Sequence, residues 1–380
     1  MNPQYSPQPI PLSPSRRRST FSVVLAVGAV LVASLLGLII LLLIGVETGL
    51  LGLLVGIIVA TLPVPVYLML VLWIDRYESE PLWMLATAFF WGALVAVFIA
   101  FVFNTATGVA VAVVTESVEA GEAFSAVISA PIVEETAKAL ILFILYFKRD
   151  EFDGVVDGIV YAAMAGLGFA MTENIQYYGR AVTEGGQHLT AVFILRGTLA
   201  PYSHPLFTSM TGIGLGLARQ SQNTAVKIFT PIVGLLVAIS MHSIWNGSVV
   251  IFGGAGFLIS YLIIMVPAFI IILVIIFFAV RREGRIVKEF LHPDFQGGLL
   301  TNHEYDRLCT VRGRMGASFS ALSRGGFAHW RACRQANQIA SELAFHRSRV
   351  ARGIHSPDAR EREATYQAAL LDLLKRLREI

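Results

Sequence analysis

Residues 130–143 read APIVEETAKALILF, and in this stretch Glu134, Glu135 and Lys138 interrupt an otherwise apolar run. On a helix Lys138 lies one turn from both carboxylates, four residues after Glu134 and three after Glu135. One ammonium pairs fully with one carboxylate, and the two glutamates point about 100° apart. One glutamate is therefore expected to serve structure and the other chemistry.

Three further apolar runs carry groups of the same kind. Glu173 and Asn174 lie in GLGFAMTENIQYYG, Arg196 and His204 in LRGTLAPYSHPLFTSMTGIGLGLA, and His242 and Asn246 in AISMHSIWNGSVV. Ionisable groups deep in a membrane span cost roughly 2.5 to 3.5 kcal/mol each, so they face a bundle interior and mark sites or relays. Pro201 and Pro205 flank His204, and a helix broken at membrane depth is tolerated where it lines protein or water. His242 and Asn246 are four apart and share a face.

Two chemistries suit this set. Two histidines and a glutamate can hold a divalent metal, with zinc the best match, leaving a position for water whose pKa falls to about 7. His204, His242 and Glu173 or Glu134 supply the ligands, and Glu135 the general base. Alternatively a buried glutamate activates water directly, a histidine orients it and the Asn246 amide stabilises an oxyanion. Both routes hydrolyse an amide. The sequence has no H-E-x-x-H pair and no G-x-S-x-G nucleophile setting, and Ser203 is adjacent to His204 in sequence, where helical side chains do not face each other.

The elements that must position these residues are transmembrane. Of 380 residues, 55% are apolar and 14% charged, against about 25% charged in typical soluble domains. The expected fold is an all-α polytopic membrane bundle of about eight spans, near 21–45, 50–74, 82–104, 123–147, 154–178, 189–217, 225–252 and 255–280. Arg16, Arg17, Arg18, Arg76, Lys148, Arg149, Arg219, Arg281 and Arg282 fall on one side of such a bundle, which places both termini in the cytoplasm. Arg180 is an exception near an outer end. The organisation expected is a disordered leader over 1–20, a membrane domain over 21–280 and a small, basic helical tail over 281–380. That tail holds 18 of the 29 Lys and Arg against 11 of the 26 acids, which suits an anionic leaflet. No groove-reading or RNA-stacking motif accompanies the charge, so no nucleic-acid partner is expected. Cys309 and Cys333 are expected as free thiols on a reducing side.

EETAK at 134–138, FAMTE at 169–173 and a downstream histidine motif resemble the EExxK, FxxxE and HxxxD motifs of the PrsW family of intramembrane proteases. That family is related to the type II CAAX prenyl proteases and to the APH-1 subunit of gamma-secretase. DRYESEPLWMLATAFFWGAL, DGVVDGIVYAAMAGLGFAMTEN and RGTLAPYSHPLFTSMTG are similar as well, and the resemblance covers roughly residues 60–250. Neither histidine is followed by Asp at the fourth place: His204 leads to Thr208 and His242 to Asn246, the second pair looking like the HxxxN motif of the prenyl proteases. The resemblance implies cleavage of a membrane-anchored protein, an anti-sigma factor in the best-known bacterial member, by a multi-pass enzyme of the bacterial inner membrane. A non-catalytic scaffold or receptor subunit and a proton-coupled transporter are the rival expectations.

Overall fold

The structure is a computed structural model that describes residues 20–77, 79–148, 151–353 and 358–378. The leader expected over 1–20 lies, apart from Thr20, outside the described residues. Among the described residues every regular element is helical. The chain divides into two compact units, one of residues 24–75 and 80–276, the other gathering the described parts of 1–23, 76–79 and 277–380.

The first unit begins with α1 (Thr20–Thr61), which kinks at Gly49, and α2 (Val64–Ile74). Then come α3 (Leu82–Phe90), a π turn at 91–96, α4 (Val97–Thr115), the short α5 (Val118–Phe124) and a π turn at 125–129. The charged stretch forms α6 (Ala130–Tyr146). After α7 (Val155–Glu184), α8 (Gly186–Val192) and a π turn at 193–199, the chain breaks at 200–202 and restarts as α9 (Ser203–Gln220). α10 (Thr224–Ser260) follows, then a π turn at 261–265 and α11 (Val266–Gln296), which runs from the first unit into the second. The second unit continues with α12 (Asn302–Cys309), α13 (Val311–Ala351) and α14 (Ala359–Arg378).

The expected eight spans are not found. Four segments among the described residues are long and apolar enough to cross a membrane: Val24–Ile74, Leu82–Thr115, Val155–Glu184 and Thr224–Gln296. Hydropathy dips near residues 45–50 and 252–255 invite a division there, and two helices do meet at each, but they abut at a single non-helical residue, Gly49 (φ 72°) or Gly253 (φ 57°), with no polar loop between them. Expected spans one and two therefore belong to one segment, as do seven and eight. Expected span four covers the π turn at 125–129 and α6, and it is set apart from the four apolar segments by the three charges of α6, Glu134, Glu135 and Lys138. Expected span six is cut by the break at 200–202, and its longer part, α9, is rich in Gly, Ser and Thr.

The buried centre of the first unit is α7. Its start is fixed by Asp157, whose Oδ2 accepts from the backbone N–H groups of Asp153 and Gly154 at 2.8 and 2.7 Å, satisfying donors that a helix start leaves open. Most of α7 is buried, because small residues let neighbouring backbones approach it. At the crossing with α9, a Cβ on Gly158 would stand 2.1 Å from the Gly212 carbonyl oxygen, and one on Gly212 2.0 Å from that of Gly158. One helical stretch further on, a Cβ on Gly166 would meet the Pro205 nitrogen at 2.6 Å and the His204 carbonyl carbon at 2.8 Å. These contacts leave no room for side chains between α7 and α9.

In the second unit, Thr301 and Glu304 form a capping box at the start of α12, and Arg378 near the end of α14 donates to both Glu304 oxygens at 2.7 and 2.6 Å. Arg314 arms hold the Leu308 carbonyl and Ser341 Oγ. Cys309 and Cys333 are both free and buried.

Gly166→Ala is expected to cost about 1–3 kcal/mol, the usual penalty for overpacking a filled interface. Gly28→Ala, with no heavy atom within 4 Å of the added carbon, is expected to leave the melting temperature in lipid nanodiscs unchanged. Equal melting temperatures for the two variants would contradict the close α7–α9 crossing.

Candidate active site

α6 follows the 125–129 π turn directly, and Pro131 stands just past that turn, where its missing backbone N–H leaves an upstream carbonyl without a helical donor. It carries Glu134, Glu135 and Lys138 on buried positions. α7 brings Phe169, Glu173 and Asn174, the first turn of α9 brings His204, and α10 brings His242 and Asn246. The chain breaks at 200–202, α9 begins at Ser203, and His204 is buried in its first turn.

The structure brings together Glu134, Glu135, Lys138, Glu173, His204 and His242. Lys138 Nζ donates to Glu135 Oε1 at 2.6 Å and lies 3.2 Å from His204 Nδ1, with the Phe169 ring centroid 4.4 Å away. Its distance to Glu134 Oε2 is 4.0 Å. Glu135 is fully committed: its Oε1 also takes His242 Nδ1–H at 3.0 Å, and its Oε2 accepts from Thr208 Oγ1 at 2.8 Å. A carboxylate on the far nitrogen of an imidazole fixes its tautomer, so His242 keeps an unprotonated Nε2. That nitrogen lies 4.0 Å from Glu134 Oε2.

Lys138 donates to His204 Nδ1, so the opposite nitrogen, Nε2, carries the proton and donates to Glu173 Oε2 at 2.9 Å. Glu173 Oε2 also receives the Arg196 guanidinium, which donates from Nε to Asn174 Oδ1 at 2.7 Å and lies 3.7 Å over the Tyr177 ring. The two imidazoles stand edge to face, 5.2 Å apart, and Phe207 stacks on His242 at 4.9 Å. Asn246 turns instead to the π turn, donating from Nδ2 to the Ala126 carbonyl at 2.9 Å.

Two contributors carried no chemical signal in the sequence. Thr208 stands where the resembled motif has Asp, and it supplies a hydroxyl to Glu135 rather than an acid. Asn104 of α4 places Nδ2 at 3.5 Å from Glu134 Oε1, while Ser129 Oγ donates to Asn104 Oδ1 at 2.8 Å and so sets which way the amide faces. An amide in the apolar run FVFNTATG was the available clue.

The residues present fit a divalent metal. One ligand atom each from Glu134, His204 and His242 lies within 4.8 Å of the others, the one such group among the described residues, and His204 would ligate by giving up its contact with Lys138 or Glu173. Glu134 Oε2 is buried and has no hydrogen-bond partner, which a cation would provide. A set of two nitrogens and one carboxylate oxygen is that of catalytic sites with an open position.

Long apolar helices and a buried acid–histidine centre define a multi-pass membrane protein with a cluster of side chains that could hold a metal. The family model for PrsW family intramembrane metalloproteases matches residues 80–272, half of the chain and all the residues just described. The chain belongs to the PrsW family. It is 35% identical over 145 residues to Protease PrsW of Geobacillus kaustophilus, covering 38% of this chain and 58% of that one. It is 29% identical over 206 residues to the Oceanobacillus iheyensis protein of the same name, covering 54% and 86%. With that of Bacillus subtilis it shares 32% over 176 residues, covering 45% and 72%. The match thus spans less than two thirds of the Geobacillus protein. No solved structure matches the chain.

Lys138→Met removes the partner of a buried carboxylate and is expected to destabilise the protein by about 3–5 kcal/mol. Adding Glu135→Gln to it should restore part of the loss, because the pair is then neutral on both sides. Strict additivity of the two substitutions in thermal unfolding would show that the Lys138–Glu135 contact carries no coupling.

Proposed function

We propose that this chain is an intramembrane endopeptidase of the bacterial inner membrane that hydrolyses a peptide bond of a membrane-anchored protein. The observation that carries this reading is the pair Glu134 Oε2 and His242 Nε2, two buried acceptors 4.0 Å apart, one of them with no partner. An acceptor pair of that separation suits a water held between them, a hydrogen-bond length from each.

Glu134, His204 and His242 would hold the metal, with zinc favoured by the donor set, and when bound it would polarise the scissile carbonyl and acidify water. The chain's own residues do the rest. Where no metal is held, Glu134 Oε2 would itself orient the water and accept its proton, the role that the residue types alone would equally allow Glu135; where it ligates a metal, it would position the water through that ion instead. Glu135 has both oxygens engaged, so it serves to fix His242 and to neutralise Lys138. Asn104 holds the other Glu134 oxygen, leaving Oε2 turned to the site. Glu173, gripped by Arg196, orients His204. Asn246 has a second amide N–H beyond that given to Ala126, and this is available to a developing oxyanion. The unpartnered Glu134 oxygen also argues against a scaffold, where a polar cluster would be closed and fully paired.

Both termini are assigned to the cytoplasm. An even number of crossing segments returns the chain to its starting side, and the Arg16–Arg18 run and the basic tail mark that side by the positive-inside rule.

In nanodiscs, with a single-span model substrate, Glu134→Gln is expected to lower kcat by roughly 10²–10⁴ with an unchanged melting temperature. Glu135→Gln is expected to lower the melting temperature as well. Cleavage by Glu134→Gln at the wild-type rate would refute the assignment.

Purified protein is expected to contain about one equivalent of zinc, to lose cleavage on chelation and to regain it on readdition. Full activity in metal-free protein would leave the direct Glu134 and His242 route.

A further inference from the structure

The catalytic reading uses nothing beyond residue 280, yet the tail contains a segregated charge pattern. Between Asp306 and Glu342 there is no acidic residue, while six arginines fall in that stretch: Arg307, Arg312, Arg314, Arg324, Arg331 and Arg334. On either side of it, basic and acidic residues are mixed and pair with one another, as in Arg378 with Glu304 and Arg347 with Asp294 and Glu363.

α13, which spans the stretch, changes character at Gly326, where φ is 69°. From Cys333 onward most of its apolar residues are buried, among them Ile339, Leu343 and Phe345, and the helix packs on α14. Before the kink they are not. Met315, Phe319 and Leu322, spaced at i, i+4 and i+7, are 56, 74 and 44% exposed, and Phe327 just past it is 64% exposed. Met315, Phe319 and Leu322 lie on one side of a helix, and Arg312 and Arg324 flank them, both exposed. Arg331 and Arg334 carry the pattern on, over the stacked rings of Phe327 and Trp330.

We propose that residues 311–327 are a docking surface for an anionic lipid leaflet. A basic helix with an aromatic and aliphatic stripe lies in the headgroup boundary, its apolar side chains buried among acyl chains and its guanidinium groups on lipid phosphates. The acid-free run complements such a surface, and a multi-pass protein always has one within reach. A polyanion such as RNA would engage the arginines but give Met315, Phe319 and Leu322 nothing apolar to bury against.

The full-length chain is reconstituted into vesicles of phosphatidylcholine alone and of phosphatidylcholine with equimolar phosphatidylglycerol, and amide hydrogen exchange is followed. Amides of 311–327 are expected to exchange roughly tenfold more slowly in the anionic vesicles, with the difference shrinking as salt is raised. Phe319→Ser/Leu322→Ser and Arg312→Glu/Arg324→Glu should each remove the protection. All four residues are exposed, so exchange in α14 should stay as in the wild type and report an intact tail fold. Equal exchange in the two vesicle types would overturn the proposal, as would protection that survives both double substitutions or appears only when RNA or an acidic peptide is added.

Discussion

A lysine ammonium with no exposed surface is the constraint around which the membrane unit is arranged. A buried charge is tolerated when paired and hydrogen-bonded, and Lys138 finds its partners on three helices. Glu135 comes from its own helix, His204 from α9 and the Phe169 ring from α7. Glu135 then passes the requirement on to α10 through His242 and again to α9 through Thr208. Four helices are thereby held to one another by a network whose every bond is strengthened by low dielectric.

These side chains can meet at hydrogen-bond distance only if the backbones are close. The reciprocal contact of Gly158 with Gly212 and the seating of Gly166 against His204 and Pro205 bring α7 and α9 to that distance. In hydrocarbon, helices gain little from apolar association, and close packing with polar contacts does the work instead. The glycines and the charges therefore act as one device: the first shortens the gap, and the second fills it with specific hydrogen bonds.

The site was legible in the sequence to the extent that charge is rare in apolar runs. Glu134, Glu135, Lys138, Glu173, His204 and His242 stand out for that reason alone, and they do converge. Asn104, Ser129 and Thr208 did not stand out, because a neutral amide or hydroxyl can satisfy itself locally and costs little to insert. Nor could spacing say which glutamate Lys138 would choose, since both stand one turn away and the choice depends on α9 and α10. The number of crossing segments failed for a different reason. Hydropathy registers composition and not direction, so dips around Gly49 and Gly253 read as loops although helices abut there at single glycines, while α6 and α9 read as spans although one carries three charges and the other is rich in Gly, Ser and Thr.

The π turn at 125–129 bears on that choice of glutamate. A π turn inserts one residue into a helix and so rotates everything beyond it by about 100° relative to a continuous α-helix, which is the angle separating Glu134 from Glu135. The turn is held from both sides: Asn104 O accepts from Ser125 Oγ and Asn104 Oδ1 from Ser129 Oγ, and Asn246 donates to the Ala126 carbonyl. Were the turn to relax into α-helix with α4 and α10 in place, Glu134 would take the facing that Glu135 now has, Glu135 would turn to that of Thr136, and Lys138 would rotate with them, so that Glu134 would face α9 and α10 in place of Glu135. The two asparagines on either side thus fix the phase of α6, and with it which carboxylate is left with an unpartnered oxygen beside His242.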